Sequence, residues 1–148
     1  MSHHPYLRAY MAGIAVPTVF LLVILTVFCV ARFVYRVPVP IERVIVFPMA
    51  IVPNLFGLWN IVFVALRSRR HLPIGLHGAL LPIVLAPLGF ALATSLGFLA
   101  ATHEGLVWFD ALRVPYALFG VIFPIVVVVY YLVWKHLVGF FNEVLGIA

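Results

Sequence analysis

The sequence predicts an all-α integral membrane protein, a compact bundle of four proline-kinked transmembrane helices, and three observations carry that prediction. The chain is 66% hydrophobic and 9% charged over 148 residues, whereas a soluble domain carries roughly 45–50% apolar and about 25% charged residues. Four stretches, residues 14–31, 44–66, 80–101 and 114–134, contain no Asp, Glu, Lys, Arg or His. Each is 18–23 residues long, and at about 1.5 Å per residue each matches the roughly 30 Å hydrocarbon core of a bilayer. Aromatic residues cluster at the ends of these runs. Tyr6, Tyr10, Tyr130, Tyr131 and Trp134 fall at one interface, and Tyr35, Trp108 and Tyr116 at the other, as expected of interfacial belts.

The first stretch is predicted to be retained as a helix. Its apolar core exceeds the ~7–15 residues of a cleaved signal, and no small-x-small cleavage site follows it. A lipoprotein signal does not match either, because Phe28 precedes the single cysteine, Cys29. One cysteine excludes an internal disulfide and a multi-thiolate metal site. Transmembrane strands are disfavoured, since they need about 9–11 residues with apolar and polar positions alternating.

Four spans put both termini and the 67–79 loop on one side of the membrane. Arg8, Arg67, Arg69, Arg70 and Lys135 lie on that side, against Arg32, Arg36, Arg43 and Arg113 on the other. The positive-inside rule therefore gives only a weak bias, towards cytoplasmic termini in a plasma or inner membrane. The net charge of +5 is concentrated beside apolar runs, which points to anionic lipid headgroups near Arg67, Arg69 and Arg70 rather than to nucleic acid. No linker or soluble domain is visible, so residues 1–148 are expected to form a single four-helix domain. A weak internal repeat relates the segments around Pro17 and Pro87, and those around Pro48 and Pro124, as in two parallel two-helix hairpins.

Within the third stretch Gly89, Ala93, Gly97 and Ala101 recur every fourth residue. Membrane helices associate by close backbone approach at small residues, so this stripe, with Gly57 on the second helix, is the expected packing surface. Asn54 and Asn60 are the most polar side chains inside any span. They are expected either to hydrogen-bond between helices or to line a small polar cavity. Pro17, Pro48, Pro53, Pro82, Pro87 and Pro124 fall inside apolar runs, and each frees a carbonyl one turn earlier. Kinks are the expected result, with broken helices around residues 48–54 and 82–89 as the competing one.

Catalytic chemistry is hard to find. His103 and Glu104 are adjacent and would diverge by about 100° on a helix, and no serine has a nucleophile-elbow context. Residues 102–113 read as an interfacial amphipathic turn anchored by Trp108. His71 and His77, six apart around Pro73, are the candidates for a metal or haem site, although solvated interfacial histidines are commoner and no cofactor is predicted. The chain is thus expected to be a non-enzymatic anchoring, assembly or accessory module. It would be a homo-oligomer or the companion of another membrane subunit, with the bilayer as its other partner and no nucleic acid. The alternative is a small homodimeric transporter or channel with its path at Asn54 and Asn60.

Overall fold

The computed structural model describes residues 4–37, 50–67, 71–97, 99–108 and 112–147. Helix α1 spans Pro5–Phe33, α2 Ala50–Leu66 and α3 Ile74–Ser95. Strands β1 (Leu99–Ala101), β2 (Gly105–Trp108) and β3 (Leu112–Pro115) follow. Helix α4 covers Tyr116–Val133 and passes through a π-helical turn, Trp134–Val138, into α5, Gly139–Val144. Three of these segments, Pro5–Phe33, Ile74–Ser95 and Tyr116–Val144, are long and apolar enough to cross a membrane. Helix α2 is a shorter apolar helix, and residues 44–49 of its expected span lie outside the described residues, as do Pro48, Arg43, Arg69 and Arg70.

Two compact units form. The first combines residues 1–72 and 136–148, and the second residues 73–135. In the first unit α1 packs antiparallel on α2: Ala9 lies opposite Asn60 and Gly13 opposite Gly57. The contact is close because both sides are glycine. A Cβ added to Gly13 would stand 2.6 Å from the Phe56 carbonyl oxygen and 2.8 Å from the Gly57 Cα, and one added to Gly57 would stand 2.5 Å from the Tyr10 ring. Ala9, Ala12, Gly13, Val16 and Pro17 are buried along α1, at the three- and four-residue spacing of one helix face.

In the second unit Gly75 and Gly78 on α3 accept the rings of Tyr131 and Trp134, and a Cβ on Gly78 would overlap the Trp134 indole. Strands β1, β2 and β3 form an antiparallel meander in which Ala101 pairs with Leu106 and Leu106 with Val114. Opposed residues share a face of a sheet, and Leu99, Leu106 and Trp108 on one face pack against Ala93 of α3. Thr102 closes the β1–β2 turn by donating to the Gly105 carbonyl (2.8 Å), and Tyr116 donates to the Thr102 carbonyl (2.9 Å).

Every described helix runs uninterrupted through its prolines, Pro17, Pro53, Pro82, Pro87 and Pro124. Serine and threonine hydroxyls within the helices are satisfied locally: Thr18 donates to the Ile14 carbonyl, Thr26 to Leu22, Thr94 to Phe90 and Ser95 to Leu92. Such back-bonding hides a polar group on the helix itself, which suits an apolar solvent. Large apolar side chains accordingly point outwards, and α4 has no buried residue.

Two expectations change. Residues 99–101, 105–108 and 112–115 are strands rather than a helix end followed by an amphipathic turn, because short apolar runs rich in Val and Leu serve either state and pairing decides. Helix α3 starts at 74 instead of 80 and stops at 95 instead of 101. Gly97 adopts φ +71°, the left-handed conformation that terminates helices. The stripe Gly89, Ala93, Gly97, Ala101 is therefore divided: two residues on α3, one in the turn and one in β1. Gly89 has no neighbour within 4 Å of an added Cβ, and nor does Gly97. Gly89→Leu is expected to leave thermal stability within about 0.5 kcal/mol of wild type. Gly97→Leu is expected to cost about 1–2 kcal/mol through its backbone conformation alone. Unfolding curves in detergent check both values, and a large loss at Gly89 would show a contact that this chain alone does not make.

Candidate functional site

The densest polar cluster lies in the first unit, where the start of α1, the end of α2 and the C-terminal segment meet. Asn60 is fully buried and Asn142 nearly so. The Asn60 amide nitrogen donates to the Ala9 carbonyl and to Asn142 Oδ1, both at 2.8 Å. The Asn142 amide nitrogen donates back to Asn60 Oδ1 at 3.2 Å. The two amides thus close a reciprocal ring. A buried amide without partners costs about 1–3 kcal/mol, so the pairing is what allows two asparagines to sit among Ala9, Ala12 and Ile147, the neighbouring core.

Around this ring the chain end is tied down. Arg8 donates to the Leu145 carbonyl at 3.2 Å, and Arg67 donates to the Ile147 carbonyl. Between those carbonyls Gly146 turns the chain at φ +66°, and the Ile147 amide closes back on the Asn142 carbonyl at 2.8 Å. The π turn comes immediately before this segment. It holds one residue more per turn than an α-helix, and Val138 and Asn142, one on either side of its end, are both buried.

Of the residues singled out from the sequence, Asn60 is in this cluster and Asn54 is not. Asn54 is exposed on α2, where its Oδ1 accepts the Tyr10 hydroxyl. Asn60 makes its bonds to the chain itself. Gly57 is at the α1–α2 contact. Arg67 binds backbone at the chain end. His71 is exposed, whereas His77 is buried inside α3 with its ring edge-on to Trp134, centroids 5.8 Å apart. Among the described residues no group of three or more His, Cys, Asp or Glu converges. His103 and Glu104 occupy the exposed β1–β2 turn, with Glu104 4.0 Å from Arg113.

Sequence reasoning passed over Asn142, Arg8, Gly13, Gly75, Gly78 and the burial of Trp134. Two signals were present. Small residues recur at helical spacing over 9–16 and 75–78, and Trp134, Val138 and Asn142 recur every fourth residue across the charges at 135 and 136.

No protein-family model, no curated protein and no solved structure matches the chain.

Proposed function

We propose that this chain is a non-enzymatic membrane module that anchors or assembles partner membrane helices, a second copy of itself or a companion subunit. The observation that carries the reading is the contrast between its polar and apolar groups. The buried asparagines, Asn60 and Asn142, are engaged with each other and with the Ala9 carbonyl, while α4 has no buried residue along its length. In lipid an apolar helix gains little from hiding side chains and associates where surfaces fit; Gly120, Val121 and Ile125 are exposed on this helix.

On this reading all four apolar helices span the bilayer. Helix α2, at about 1.5 Å per residue, covers 17 described residues, and residues 44–49 extend its expected span. Its antiparallel pairing with α1, and the meeting of α1's start with the C-terminal segment, support an even number of crossings with both termini on one side. The weak charge bias makes that side cytoplasmic, in a plasma or inner membrane. One hairpin in each unit, α1 with α2 and α3 with α4, is in keeping with a two-helix repeat.

A photo-crosslinking residue at Val121 or Ile125, activated in native membranes, tests the reading. A discrete protein adduct, sequenced as this chain or as one companion, is the expected result; lipid adducts alone at both positions would refute it. One observation favours the transporter alternative, the Tyr10–Asn54 polar pair on an exposed face within the apolar zone. Solute flux into proteoliposomes that is abolished by Asn54→Leu would establish that alternative and displace the module.

A further inference from the structure

We infer that Arg8 and Arg67 together form a binding site for the phosphate of an anionic phospholipid headgroup. The two arginines stand at the open end of the antiparallel α1–α2 hairpin, one at its start in sequence and one at its finish, and they converge on carbonyls two residues apart, Leu145 and Ile147. An arginine carries five N–H donors and no acceptor. With one donor anchored to a carbonyl, each guanidinium is held in place while its other donors remain to be satisfied, the arrangement that phosphate oxygens fit by forked hydrogen bonds. Neither guanidinium is ion-paired to a described acid, and Glu143 is the one acidic side chain among the unit's described residues, exposed.

The surroundings select a lipid over free phosphate. Leu7, Leu66 and Val144, the sequence neighbours of Arg8, Arg67 and Leu145, are exposed at 58%, 42% and 64%. Exposed apolar residues next in sequence to two converging cations accommodate an acyl chain below its headgroup, and contribute nothing to binding a small ion. The site is also placed where such a headgroup resides, at the ends of two apolar helices. The pair differs from the Arg67, Arg69 and Arg70 cluster visible in the sequence, because Arg8 is brought in by the fold and the chain end supplies the frame.

The test uses the full chain in a neutral detergent, titrated with phosphatidylglycerol, phosphatidylcholine or inorganic phosphate, with binding read by native mass spectrometry. Phosphatidylglycerol is expected to bind in preference to phosphatidylcholine, and inorganic phosphate to compete weakly. Each cation near an anionic surface contributes about 1 kcal/mol, so Arg8→Gln and Arg67→Gln should each weaken phosphatidylglycerol binding about fivefold. Arg113→Gln, remote in sequence and beside Glu104, should leave it unchanged. Should the glutamine variants fail to fold, Arg8→Lys with Arg67→Lys keeps both charges and should keep the headgroup preference. Equal binding of the two lipids by wild-type protein would overturn the site, as would an equal loss in Arg113→Gln, loss of the preference in the lysine pair, or full competition by inorganic phosphate.

Discussion

Asn142→Ala is expected to destabilise the protein in detergent by about 1–3 kcal/mol, the cost of leaving a buried amide short of partners. Asn60 would lose two of its three hydrogen bonds, keeping the one to the Ala9 carbonyl. Single interhelical hydrogen bonds in membranes average only about 0.6 kcal/mol, because the unfolded chain in lipid finds other partners. The larger value is expected here because both amides are enclosed and bonded to each other, so removal of one strands the other. Asn60→Leu combined with Asn142→Leu removes the demand together with the supply, and should be closer to wild type than Asn142→Ala. A double-mutant cycle of thermal or denaturant unfolding measures this directly. Additive effects of the two single changes would mean that the ring contributes no coupling.

Gly13→Val is expected to have the other large effect, separating α1 from α2 and costing about 1–3 kcal/mol or more, as overpacking does. The atoms that an added Cβ would meet, the Phe56 carbonyl oxygen and the Gly57 Cα, belong to backbone. No rotamer change can move them aside, so one helix must shift, and Ala9, Ala12 and Val16 lose contact with it. Gly57→Val meets the ring of Tyr10 and the side chain of Ile14, which can rotate, and should cost less. The ordering of the two variants in a thermal unfolding series checks the reading; equal losses would show that the α1–α2 spacing adjusts freely.

Hydropathy located the helices well because a bilayer imposes length and apolarity on each crossing segment independently of what packs against it. Their boundaries were harder. The run from 96 to 101 is as apolar as the helix before it, and what makes it turn and strand is the left-handed Gly97 and the pairing of Leu99 with Trp108, a partner nine residues on. At the other end of α3, Gly75, His77 and Gly78 look like loop residues. They lie in a helix in which the two glycines admit Tyr131 and Trp134, a tertiary reason that no local window contains. The polar cluster was half legible. An asparagine within an apolar span announces itself, since lipid offers it no hydrogen bond, and Asn60 duly found one. Its partner was obscured by Lys135 and His136, which read as the end of the last span, while the helical stretch continues beyond them to Val144.

The reciprocal amide ring also fixes an order of events during synthesis. Asn142 follows Asn60 by 82 residues, and the first unit is assembled from two separated pieces of chain, whereas the second is a single continuous piece. A ribosome delivering this protein therefore completes the second unit's sequence before the first unit can close. Throughout that interval Asn60 has the Ala9 carbonyl as its native partner, and the α1–α2 hairpin stands without the contacts of the C-terminal segment. Closure of the first unit therefore waits for Asn142, and a nascent chain stalled short of that residue leaves the Asn60 carboxamide without its reciprocal partner.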